Sequence, residues 1–170
     1  MAIQQNAMQD FLDSEPVTHN HGTISKLGLS KRSANQLKNW CYNNDIPCID
    51  GKELHCTLLF SRKPVEKLCR FDGSRILVRA GIKGWKKLGT ALTLSLDAPH
   101  AEHIHRLMIE QGGTHDFPDY IAHTTVSYGW ESDELPDNIP DFVMEFDRLD
   151  VGPIDPRYAE KSINRLSQQG

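Results

Sequence analysis

Two short stretches, ELHCTLLFS (residues 53–61) and YIAHTTVSYGW (120–130), each hold a histidine with a threonine two positions on, inside the apolar and polar alternation of a β-strand. Side chains alternate along a strand, so His55, Thr57 and Leu59 are expected on one face and Leu54, Cys56, Leu58 and Phe60 on the other. In the second stretch Ile121, His123, Thr125 and Ser127 are set against Ala122, Thr124, Val126 and Tyr128. What precedes each stretch is also the same. TISKLGL (23–29) reads as a strand, and Ser30 then caps a helix whose apolar face is Ala34, Leu37, Trp40 and Cys41, ended by Asn43-Asn44-Asp45 and Pro47. GTALTLSL (89–96) reads as a strand, and Asp97 and Pro99 open a helix with a buried stripe of Ala101, Ile104, Leu107 and Met108, stopped at Gly112-Gly113. From Lys31 to His55 is 24 residues, and from Pro99 to His123 is again 24. The spacing predicts an α+β fold of pseudo-symmetric duplicated β-α-β units, in which two antiparallel sheets line a central cleft and the helices lie outside.

The rest of the chain fits around that unit. SRILVRAGIK (74–83) and FVMEFDRLDVG (142–152) read as further strands, with a turn over residues 84–88. Residues 1–20 lack periodicity and read as a flexible arm, residues 21–152 as the domain, and 153–170 as a C-terminal tail. No apolar run approaches the roughly 18–20 residues of a membrane span, and the first twenty residues lack a signal peptide's apolar middle, so a cytoplasmic protein with no membrane partner is expected. Cys41, Cys48, Cys56 and Cys69 have neither CxxC metal spacing nor the density of a disulfide framework, and are expected as reduced thiols with no metal. The net charge of −4 argues against a protein that grips long nucleic acid. Yet residues 62–87 carry a local balance of +7, leaving −11 elsewhere, which suits a focused field for a small anionic ligand.

Two imidazoles converging on one atom can act as base and acid near neutral pH, and threonine hydroxyls on the same face can donate to an anionic oxygen between them. That set suits phosphodiester cleavage, in which one oxygen loses a proton, another gains one and the phosphoryl charge needs stabilising. No cofactor is implied. A single His-x-Thr would be read as packing; two at equivalent places in a repeat are not. His100, His103 and His105 lack the i, i+4 spacing of a helical metal site and are expected in solvent, while Cys56 points away from its neighbours His55 and Thr57.

His55-Cys56-Thr57-Leu58 and His123-Thr124-Thr125-Val126 resemble the paired motifs of the two-histidine (2H) phosphoesterases, a metal-independent group acting on cyclic phosphates and nucleotide phosphodiesters. LHCTLLFSRKP (54–64), GTALTLSLDAP (89–99) and GGTHDFPDYIAHTTVSYG (112–129) are similar to segments of the phage anti-CBASS nucleases, a branch of that group that destroys cyclic oligonucleotide messengers of bacterial immunity. The resemblance implies His55, Thr57, His123 and Thr125 as the catalytic set. It implies Trp85 as a platform for stacking a base, Glu145 or Asp150 as a base-recognising carboxylate, and an opposing aromatic plate from near the first strand. This sequence departs there, since TISKLGLS (23–30) has no aromatic, and Tyr42, Tyr120 and Tyr158 are the candidate substitutes. It also implies the C-terminal tail, 153–170, as a lid that closes over the ligand. It further implies a metal-independent phosphodiesterase that hydrolyses 3′,5′ linkages of cyclic di- or trinucleotides in a bacterial host's cytoplasm. The same motifs serve enzymes that process 2′,3′-cyclic or 2′-5′ ends of RNA, and a non-catalytic nucleotide sponge would carry the same pocket. The attacking group, ribose 2′-hydroxyl or water, and the division of base and acid between the two histidines stay open.

Overall fold

The computed structural model describes residues 21–116 and 119–155. The proposed arm and the tail beyond Asp155 lie outside the described residues. The element order is β1 (Thr23–Leu29), α1 (Lys31–Asn43), β2 (His55–Ser61), β3 (Ser74–Leu88), β4 (Ala91–Asp97), α2 (Pro99–Glu110), β5 (His123–Ser127) and β6 (Met144–Pro153), with 3₁₀ turns at Gly51–Glu53 and Glu66–Phe71. Both helices begin at the residues from which the 24-residue spacings were counted. Ser30 caps α1 by accepting a hydrogen bond from the Ser33 amide, while α2 starts on Pro99, whose missing N–H is no loss in a first turn.

All strand pairs are antiparallel and close into a ring in the order β1-β2-β5-β4-β3-β6. That order has a two-fold character. β2 and β5 are central, β1 and β4 flank them, and β6 and β3 lie outermost and pair with each other. The α+β class with antiparallel sheets holds, and the two halves are continuous: β2 joins β5 on one side and β3 joins β6 on the other, leaving no open sheet edge among the described strands.

One face of the ring is apolar. Leu27, Cys56, Thr124, Leu94 and Trp85 are linked pair by pair across β1, β2, β5, β4 and β3, and all but Trp85 are fully buried. The helices cover this face, with Trp40 of α1 against Trp85, ring centroids 6.1 Å apart, and α2 reaching β2 through His105. Three readings of the sequence change. Residues 84–88 continue β3, because Gly84, at a positive φ (157°) that favours glycine, keeps its pairing with Ser95 beyond a bulge at Lys83; the turn comes at Gly89 (φ 61°). On α2 His105 faces inward, 7% exposed, and Leu107 faces outward, 44% exposed, since the backbone carbonyl of Leu58 offers the ring a partner that a leucine could not use. β6 runs one residue past the expected boundary, and Ile154 donates its amide to Gly22. No helix among the described residues is long and apolar enough to cross a membrane.

Candidate active site

β2 and β5 meet at a single pair, Cys56 with Thr124, the middle residues of the two His-x-Thr triplets. Antiparallel strands crossing there set His55 across from Thr125 and Thr57 across from His123. The two histidines are then diagonal neighbours on one face, about 7–8 Å apart. Cys56 and Thr124 are buried, while His55, Thr57, His123 and Thr125 are partly exposed. The structure thus brings all four together on the face away from the helices.

The equivalence reaches the side-chain hydrogen bonds. His55 Nδ1 lies 2.6 Å from the carbonyl oxygen of Glu53, and His123 Nδ1 lies 2.9 Å from that of Ile121, each two residues before its ring. A carbonyl only accepts, so each Nδ1 carries the hydrogen and each Nε2 is left with its lone pair for the cleft. Burial is the main influence on His55 and pushes its pKa below the ordinary histidine value; the Glu53 carbonyl opposes this, Lys26 and His123 add to it, and Asp150 works against it.

Each threonine is followed by a β-bulge. Opposite β1, Leu59 pairs with Ser25 and Thr57 with Lys26, so Leu58 is the extra residue. Opposite β4, Ser127 pairs with Leu92 and Thr125 with Thr93, so Val126 is the extra residue. A one-residue slip exchanges the faces beyond it. This is why Leu59 and Ser127, which strict alternation puts beside the histidines, are buried instead, and why Phe60 is only half-buried. The backbone at the bulges is held differently in the two halves. Tyr120 Oη donates to the Thr57 carbonyl (2.8 Å) and His105 Nδ1 to that of Leu58 (2.6 Å), with the two rings stacked at 4.2 Å and His115 edge-on to His105. In the other half the Ile49 amide donates to the Val126 carbonyl, 2.9 Å. Burial and the neighbouring Cys56 push the Tyr120 pKa up, so its hydroxyl stays a donor.

The ladders extend this face outward. Gly28 of β1 pairs with His55 on one side and Arg148 of β6 on the other, and Lys26 likewise pairs with Thr57 and Asp150. In the second half Ser95 lies between His123 and Gly84, and Thr93 between Thr125 and Lys86. Asp150 therefore shares the histidines' face, with Arg148 Nε 3.1 Å from both its carboxylate oxygens. Trp85 does not. Its pairing with Leu94, and through it Thr124, turns it to the helix side, where its Nε1 donates to the Asn138 carbonyl at 2.8 Å. Glu145 is held at the β3–β6 ladder by Arg79 (3.1 Å), and its amide donates to Ser33 Oγ. Of the tyrosines considered as an opposing plate, Tyr120 lies beneath the motif, Tyr42 is 83% exposed on α1, and Tyr158 is outside the described residues. Sequence reasoning missed Lys26, Gly28 and Arg148, whose place is set by register and not by any local motif.

Comparison with known proteins agrees with this geometry. Among solved structures, LigT of E. coli, crystallised with NADP+, superposes with a TM-score of 0.54 over 77% of this chain and 86% of its own, at 14% identity. The TT0787 protein of Thermus thermophilus gives 0.56 over 79% and 90%, at 9% identity. These likenesses establish the two-histidine phosphoesterase fold. Among curated proteins, anti-CBASS protein Acb1 of Vibrio phage KVP40 is 32% identical over 127 residues, 71% of this chain and 78% of that protein. Anti-CBASS protein Acb1 of Enterobacteria phage T4 is 31% identical over 86 residues, half of this chain and 55% of that protein. The family model described as anti-CBASS protein Acb1 matches residues 21–160, from two residues before β1 to beyond the end of β6, and the chain belongs to that family.

Proposed function

We propose that this protein is a metal-independent phosphodiesterase that hydrolyses 3′,5′ linkages of cyclic di- or trinucleotide messengers, and so counteracts CBASS defence in a bacterial host. The observation that carries the reading is the matched pair of imidazoles. Both Nδ1 atoms are committed to backbone carbonyls, and among the described residues neither Nε2 has a hydrogen-bond partner on the face the two rings share, diagonal across the β2–β5 crossing. One Nε2 takes the proton of the attacking hydroxyl, either the substrate's ribose 2′-hydroxyl or water. As the new P–O bond forms and the old one breaks, the other, protonated Nε2 returns a proton to the leaving oxygen. Thr57 and Thr125, each across from the other half's histidine, donate to the phosphoryl oxygens as charge gathers there. Roles divided in this way need no metal ion.

The test is incubation of purified protein with cyclic di- and trinucleotides in excess EDTA, with products followed by mass spectrometry. Linear products from the cyclic messengers are expected. Cleavage confined to 2′,3′-cyclic or 2′-5′ RNA ends, or retention of messenger without cleavage, overturns the reading in favour of an RNA-processing esterase or a sponge.

A further inference from the structure

Outside the four motif residues, the most unusual local arrangement on the cleft face is the seat of Arg148. Gly28 stands directly beside His55 in the β1–β2 ladder, and a Cβ built on it, which would project from the same face as the histidine, comes within 2.6 Å of Arg148 Nη2, 3.0 Å of Cζ and 3.3 Å of Nε. The guanidinium therefore lies over the glycine, in the space a side chain would fill, one inter-strand spacing of about 5 Å from β2. Its Nε faces the two oxygens of Asp150, and among the described residues the terminal nitrogens have no hydrogen-bond partner.

The surrounding charges are not balanced. Arg148 pairs across the β3–β6 ladder with Arg75, and both are exposed. Like charges directly opposite on neighbouring strands repel, and at these ladder positions among the described residues Asp150 is the one carboxylate beside three cations, paired with Arg148 and in register across β1 with Lys26. Such a group favours an anion. The equivalent place in the other half is neutral: Gly84 stands where Arg148 would, and Ser95 where Gly28 would. At this ladder position the asymmetry puts a cation beside His55 and none beside His123, whose half carries Lys86 at the position of Asp150.

We propose that Arg148, seated on Gly28 with Arg75 opposite, is the anchor for a second, non-scissile phosphate of the substrate. A phosphorus held between the two histidines sits midway between β2 and β5, so the guanidinium is displaced sideways by about one and a half strand spacings, or roughly 7 Å. That is the reach of one nucleotide unit between consecutive phosphates. The planar guanidinium offers a phosphate two parallel N–H donors, and losing such a charge-assisted pair weakens binding by about 10- to 100-fold. The inference rests on the phosphodiesterase reading and narrows it, because a substrate with one phosphate gains nothing from this seat.

The experiment compares Arg148→Met and Gly28→Ala with wild type on two substrates, a cyclic dinucleotide and a 2′,3′-cyclic mononucleotide, alongside direct calorimetric binding of the dinucleotide. Arg148→Met is expected to raise KM for the dinucleotide at least tenfold more than KM for the mononucleotide, and to weaken dinucleotide binding by a similar factor. Gly28→Ala, which keeps the charge but unseats it, is expected to change both in the same direction. Equal losses on both substrates would mean that Arg148 touches the scissile phosphate, and unaltered dinucleotide KM and affinity would mean that it touches none; either overturns the proposal while leaving the phosphodiesterase reading in place. A wild-type protein that neither binds nor cuts a cyclic dinucleotide removes both.

Discussion

His55 and His123 share one tautomer but not one environment. Lys26 and Asp150 lie across β1 from Thr57, whereas Thr93 and Lys86 occupy the equivalent places across β4 from Thr125. For the proposed chemistry, alanine at either histidine is expected to lower kcat/KM by at least ~10²-fold, measured as initial rates on a cyclic dinucleotide. The pH dependence has a definite sign. Because burial holds the His55 pKa below its usual value of about 6.5, its neutral form persists into more acidic solution, and NMR titration of the ring is expected to give a midpoint below 6.5. Lys26 contributes to that lowering, so Lys26→Met is expected to move the midpoint up; Asp150 opposes it, so Asp150→Asn is expected to move it down. A midpoint unmoved by both changes would show that neither charge reaches the ring. The four motif residues were legible in the sequence because each pair obeys a two-residue alternation. Lys26 and Arg148 were not, since only the pairing of distant strands puts them beside His55.

At the scale of the element, the bulges decide what each strand presents. Alternation read through Leu58 and Val126 sends Leu59 and Ser127 to the wrong face, and nothing local in the sequence announces an extra residue; the apolar side chain after each threonine is the only trace. The Leu58 bulge also explains a buried histidine on α2 and a tyrosine beneath the motif, because the carbonyls of Thr57 and Leu58 take their donors from Tyr120 and His105. Tyr120→Phe removes one hydroxyl and keeps the ring stacked on His105. It is expected to cost about 1 kcal/mol of stability by denaturant titration, the usual net worth of such a bond. It is also expected to lower kcat several-fold with KM little changed, because Thr57 loses its alignment and the remaining cleft does not. A full loss of stability with unchanged kcat would make the tyrosine a packing residue alone.

At the scale of the whole molecule, the net charge of −4 and the basic stretch from Arg62 to Lys87 gave opposite hints about the size of the ligand, and the fold resolves part of the conflict. Three cations of that stretch are matched by acids brought from elsewhere in the chain: Arg62 with Asp116 (3.0 Å), Arg79 with Glu145 (3.1 Å) and Lys87 with Asp133 (4.0 Å). The Arg79 and Lys87 pairs, each with one largely exposed partner, add little to stability, but all three shrink the positive field that a long polyanion could use. The cationic character left on the histidines' face is gathered at Lys26, Arg148 and Arg75, with Lys86 across the cleft. A ligand held there releases few counterions. The plot of log affinity against log salt for a cyclic dinucleotide, measured on the His55→Ala and His123→Ala double variant so that nothing is consumed, is therefore expected to have a slope no steeper than about −2, close to what two neutralised phosphates require. A slope steeper than roughly −4, with tighter binding to a long single-stranded RNA than to the cyclic compound, would mean that the paired cations open to a polymer and that the cleft is one end of a longer track.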